Sequence, residues 1–139
     1  MSTERSALES LLDAAAAAAA ASWSPYSRFP VGAALAVADG SVVTGTNVEN
    51  RSFGLTICAE RAAVCTAVGR GQRDIRAIAV YCAAVDDPVP PCGACRQVLT
   101  EFCPPGTPVI YAGRDRSRAV VTSLGALLPA DSLHDLGRR

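Results

Sequence analysis

Cys58-Ala59-Glu60-Arg61 and Pro91-Cys92-Gly93-Ala94-Cys95 each stand at the point where a β-rich run gives way to a helical pattern. Two thiols separated by two residues at the start of a helix project to one side of its first turn, the local chelate that a tetrahedral zinc ion needs. Cys58 supplies a third thiol from far off in sequence. The count is what matters: three protein ligands leave the fourth corner of a tetrahedral ion to water, whereas four would close the site. Glu60, two residues beyond Cys58, then reads as the acid/base group that moves protons to and from that water.

Working outward, residues 31–38 and 42–48 are β-rich and joined by Asp39-Gly40, a strong hairpin signal, so they form an antiparallel pair. A helix beginning near Cys58 runs to about Val68, where Gly69 and Gly71 stop it. Residues 75–82 are almost continuously apolar and predict a central buried strand, so strand, helix and strand make a crossover. The proline-rich stretch 86–91 delivers the chain to a helix over 92–102, followed by strands over 107–112 and 118–123 and a short helix from Leu124. At the other end, Ser2 or Thr3 caps a helix whose Leu8, Leu11, Leu12, Ala15 and Ala19 recur at helical spacing. Its alanine-rich face suits close packing on a sheet or on another subunit. The expected fold is α/β, a three-layer α/β/α arrangement with a mixed sheet of about five strands, spanning residues 1–139 as one domain.

Composition narrows the chemistry. The chain has 139 residues, half of them apolar, enough for a core without disulfide staples. Thirteen basic residues balance thirteen acidic ones, which gives no reason to expect nucleic acid or membrane partners and points to a small substrate. Every basic residue is arginine, so Schiff-base and lysine-nucleophile chemistry are excluded. Glu4, Glu9 and Asp13 argue against reading the run 14–21 as a signal segment, and that run is far shorter than the ~20 apolar residues a membrane span requires. A cytoplasmic protein with reduced or metal-bound thiols is expected.

Several residues call for weighing. Cys65 shares a helix with Cys58, but seven residues at ~1.5 Å each separate them by about 10.5 Å along the axis, beyond one zinc, so Cys65 is expected in the core. Cys82 and Cys103 read as small core hydrophobes. Cys-Gly-Ala-Cys alone also resembles the redox pair of thioredoxin-like proteins, a reading that leaves Cys58-Ala59-Glu60 unexplained. His134, the only histidine, reads as a surface residue. Phe29, in a loop bracketed by prolines, is a candidate to stack on a flat ligand or else to fill the core. Strand alternation would put Asn47 and Glu49 on one face, where both could grip hydroxyls. The N–H of Ala59 could donate to a ligand carbonyl, and Arg61 could offset thiolate charge.

With these residues in place, the chain resembles the cytidine deaminases of the small, homotetrameric zinc class, from the first helix to Leu128-Pro129. The resemblance rests on Phe29-Pro30-Val31-Gly32-Ala33-Ala34, Asn47-Val48-Glu49-Asn50, Cys58-Ala59-Glu60-Arg61 and Pro91-Cys92-Gly93-Ala94-Cys95-Arg96-Gln97 in that order. It implies one zinc per subunit held by Cys58, Cys92 and Cys95, with Glu60 carrying the protons while cytidine or deoxycytidine becomes the uridine product and ammonia. It further implies that Phe29 stacks near the base, Asn47 and Glu49 hold the ribose 3′-hydroxyl, Ala59 N–H meets the base O2, and Arg61 bonds the ligand thiolates. Two departures stand out. Phe53 replaces a tyrosine and so lacks a hydroxyl, and Ser132, with Leu133 beside it, takes the place of a phenylalanine that reaches a neighbouring subunit's site. The rivals are a deaminase of the same fold acting on an aminopyrimidine nucleoside antibiotic such as blasticidin S, and a non-catalytic zinc module whose fourth corner is filled by protein.

Overall fold

Alternation along two central strands sorts the side chains into two layers of unlike size. The computed structural model describes residues 3–131. In β1 (Val31–Val37) and β3 (Ile75–Cys82), Ala33, Leu35, Ile78 and Val80 face one way and Ala34, Ala36, Ala77 and Ala79 the other. β2 (Val42–Thr46), β4 (Pro108–Ala112) and β5 (Val120–Ser123) complete a five-stranded sheet of order β2-β1-β3-β4-β5. Only the β3–β4 pair is parallel, so the sheet is mixed, with β3 at its centre.

The small-residue face receives α1 (Thr3–Ala19), whose Leu8, Leu11, Leu12 and Ala15 are buried against Ala34, Ala79, Ile110 and Ala112. Alanine on both sides brings the two backbones together: a Cβ on Gly32 would lie 1.9 Å from the carbonyl oxygen of Ala15. The alanine-rich helix is thus occupied by the chain's own sheet. Ser2, one of its two expected caps, lies outside the described residues. The opposite face carries α2 (Ala59–Gly69), α3 (Gly93–Thr100) and α4 (Leu124–Leu127), packed on Leu35, Ile78, Val80 and Val109. Helices on both faces make the three-layer α/β/α arrangement.

Two differences from the sequence reading have simple causes. Strand β2 stops at Thr46 rather than 48, because the Asn47 carbonyl that would continue the ladder accepts from Trp23 N–H at 3.1 Å, and Val31 N–H donates instead to the Asn47 side-chain Oδ1 at 2.9 Å. Val48 instead makes isolated bridges to Trp23 and Ile57. Cys65 is exposed rather than buried. The inward stripe of α2 runs through Ala59, Glu60, Ala63, Val64 and Ala67, and one further residue along from Val64 turns about 100° outward.

The connections explain where chemistry can collect. β2 and β3 both run antiparallel to β1, and are therefore parallel to each other although not adjacent. The helices that follow them, α2 and α3, begin at the same end of the sheet and on the same face. Gly45 sets how deep α2 sits, since a Cβ there would lie 2.4 Å from both Ala59 O and Ala63 N. Gly45→Ala is therefore expected to cost at least about 1–3 kcal/mol through overpacking. The check is a urea midpoint that falls at constant m value; an unchanged midpoint would mean that α2 does not rest on β2 this closely.

Candidate active site

Two of the three helices on this face start with a cysteine in an extended conformation. Cys58 caps α2 (φ −71°, ψ 154°) and Cys92 caps α3 (φ −67°, ψ 164°), while Cys95 lies in the first turn of α3. Free N–H groups and the positive end of the helix dipole favour thiolates at such positions, and Cys95 N–H donates to Cys92 Sγ at 3.5 Å. The Sγ atoms of Cys58 and Cys92 are 3.7 Å apart, those of Cys92 and Cys95 3.4 Å, and all three lie within 4.8 Å of one another. Tetrahedral zinc with ~2.3 Å Zn–S bonds separates its sulfurs by about 3.8 Å, so the trio fits such an ion with adjustments of no more than about an ångström. Among the described residues this is the one group of three that could hold a metal.

The surrounding charges suit such a cluster. Arg61 Nη2 donates to Cys58 Sγ at 3.2 Å. The Cys58 thiol is pushed down to about 5, first by the hydrogen bond from Cys95 and, against the effect of burial, by the one from Arg61. Cys95 is pushed up, first because it gives that bond and then by burial. Glu60 is 3% exposed, and burial, reinforced by the Cys58 charge, raises its carboxyl above the usual range. A carboxyl made readier to hold a proton suits a group that both takes and returns one.

Cys58, Glu60 and Cys92 open on a cleft of about 390 Å³ whose walls include Phe29, Val31, Asn47, Glu49, Ala59 and Val80. Ala59 is fully buried, and as the first residue of α2 it has no intrahelical acceptor for its N–H. Asn47 and Glu49 line the same cleft, held there by the bridging segment past β2 rather than by strand alternation: Trp23 N–H donates to Asn47 O at 3.1 Å and Glu49 N–H to Trp23 O at 2.8 Å. Phe29 is half-buried at the wall. A larger cleft, about 540 Å³, lies between α3 and α4, but its one thiol, Cys103, is pushed up to about 12 by burial and is no nucleophile there.

The remaining residues singled out in the sequence sit away from the thiols. Phe53 is 72% exposed, its ring edge-on to Tyr26 at 5.6 Å between centroids. Cys82 is buried in β3. Ser132, Leu133 and His134 lie outside the described residues. The sequence reading missed Ser27, Thr56, Val89 and Pro90, which also line the cleft. Ser27, two residues before Phe29 in a proline-bracketed loop, carried a faint signal; Val89 and Pro90 carried none beyond their nearness to Cys92.

Comparison with known proteins agrees with this geometry. A family model described as the cytidine and deoxycytidylate deaminase zinc-binding region matches residues 5–111. A cytidine deaminase of Halalkalibacterium halodurans is 54% identical over 105 residues, 76% of this chain and 78% of that protein. One from Sporosarcina psychrophila is 48% identical over 113 residues, 81% of this chain and 82% of the other. The crystal structure of cytidine deaminase from Burkholderia pseudomallei superposes with a TM-score of 0.82 at 44% identity, covering 93% of this chain and 98% of that one. The matched region takes in Cys58, Glu60, Cys92 and Cys95, and the metal its description names is one the three thiols fit: the chain belongs to the zinc-dependent cytidine and deoxycytidylate deaminase family.

Proposed function

We propose that this protein deaminates cytidine and 2′-deoxycytidine hydrolytically, consuming water and releasing ammonia with uridine or 2′-deoxyuridine. The observation that carries the reading is a buried carboxyl, Glu60, beside a three-thiol cluster at the floor of a cleft that a nucleoside could enter. Cys58, Cys92 and Cys95 would hold the zinc. When bound, the ion supplies the Lewis acidity that makes water nucleophilic near neutral pH.

The chain's own groups do the rest. Glu60 takes both protons of the attacking water in turn, passing the first to N3 of the base and the second to the departing amine. Ala59 N–H donates to the base O2, and Phe29 stacks on the ring. Asn47 and Glu49 take the 3′-hydroxyl. Arg61 stays on Cys58 and offsets thiolate charge. Incubating the zinc-loaded protein with cytidine and following the absorbance change to uridine tests the activity directly; zinc at one per chain without turnover would sink it and favour a non-catalytic zinc module. Turnover of blasticidin S in preference to cytidine would instead favour the antibiotic-deaminase reading.

The same reading takes residues 1–139 as one domain, a cytoplasmic enzyme of pyrimidine salvage that works as a homotetramer without nucleic acid or membrane partners. Among the described residues no helix is long and apolar enough to cross a membrane. Assembly is supported by a group of exposed apolar side chains beside the cleft: Trp23, Val48, Phe53, Leu55 and Ile57 are 42–72% exposed. Solvent-facing large hydrophobes grouped in this way mark association surfaces. Leu55→Asp, at a position 65% exposed, is expected to leave the fold intact and shift the mass from tetramer to smaller species in light scattering. A wild-type monomer would overturn the assembly.

A further inference from the structure

Asn47 and Glu49 spend most of their hydrogen-bonding capacity within the chain. Asn47 Oδ1 accepts from Val31 N–H at 2.9 Å and from the Ser22 hydroxyl, and its Nδ2 donates to Phe29 O at 2.9 Å. One amide N–H is left for a ligand. Glu49 Oε1 accepts from Tyr26 N–H at 3.0 Å and Ser27 N–H at 3.2 Å, and Oε2 accepts from the Ser27 hydroxyl at 2.5 Å. About one acceptor site of the carboxylate's four is left.

The direction of the Ser27 hydroxyl is determined by its other partner. Phe29 N–H, which can only donate, points at Ser27 Oγ from 3.0 Å. The Ser27 proton must then go to Glu49. Arg28, between Ser27 and Phe29, turns the chain at φ 54°. Glu49's carboxyl accordingly lies below its usual range, with the Ser27 hydroxyl as the first cause, so the group stays an anion that only accepts.

We propose that Ser27 is a positioning residue for sugar recognition: bridging Phe29 N–H and Glu49, it aims the carboxylate's remaining acceptor so that, with the spare N–H of Asn47, it reads one substrate hydroxyl. This rests on the proposed role of Asn47 and Glu49 at the 3′-hydroxyl. Ser27 touches no reacting atom.

The test compares cytidine with 3′-deoxycytidine, which lacks that hydroxyl. Ser27→Ala is expected to lower the preference for cytidine, the ratio of the two kcat/KM values, by about tenfold, as losing a hydrogen bond to a charged group would. The change should lie in the KM for cytidine, with kcat nearly constant. Ser27→Thr, which keeps the hydroxyl, should restore the preference, and Ser27→Ala made in a Glu49→Ala background should add nothing further. If Glu49→Ala lowers the preference while Ser27→Ala does not, or if Ser27→Ala weakens both substrates equally, the proposal is wrong and the hydroxyl reading survives. If Glu49→Ala itself leaves the preference unchanged, the hydroxyl reading fails, and the role of Ser27 with it. Should Ser27→Ala melt too early to assay, Ser27→Gly and Ser27→Thr give the same comparison.

Discussion

Glu60→Gln is expected to keep one zinc per chain and to lower kcat by roughly 10²–10⁴-fold, the usual worth of a positioned acid/base group. The substitution is nearly isosteric. It leaves the packing around a side chain that is only 3% exposed almost unchanged, while removing the oxygen that could hold and return a proton. Burial matters to the size of the effect. A side chain so little exposed has little contact with bulk solvent that could carry the proton in its place. Metal analysis and steady-state turnover on the same sample check it. Loss of zinc would make Glu60 a ligand, and near-normal turnover would leave it a bystander.

Cys95→Ala should do the opposite, abolishing metal binding and with it activity. Cys95 is fully buried and Cys92 lies 3.4 Å from it, so the deletion removes one corner of the trio. Removing a partner outside the coordination sphere commonly costs 10–100-fold in affinity, and loss of a ligand should exceed about 100-fold. Competition with a chelator of known affinity gives the number. Cys65→Ala, on the outward side of α2, is the matched control and should bind metal as the wild type does. Equal zinc content in the Cys95→Ala and wild-type proteins would dismantle the three-thiol site.

Most of the architecture could be read from local pattern because the forces that make it are local. Leu8, Leu11, Leu12 and Ala15 sit on one helical stripe, and Asp39-Gly40 closes its hairpin with Gly40 at φ 88°. The β3 run is apolar because β3 is central. Where the reading went astray, a neighbour distant in sequence decided. Trp23 takes the Asn47 carbonyl and so ends the pairing of β2 two residues early, and the stripe of α2 that meets the sheet passes beside Cys65. Ser27 was overlooked because a serine in a loop has many uses, and its partner Glu49 lies 22 residues away.

Spacing alone determined that Cys92 and Cys95 share a helical turn and that Glu60 follows Cys58 on another, since helix geometry makes such neighbours wherever the helix goes. Tertiary structure decided that the two turns meet. Cys58 and Cys92, 34 residues apart, come within 3.7 Å because β2 and β3 run the same way on either side of β1 and release their helices at one end of the sheet. It also decided how much of Asn47 and Glu49 is left for a ligand, for hydrogen-bonding capacity is spent on whatever the fold brings alongside.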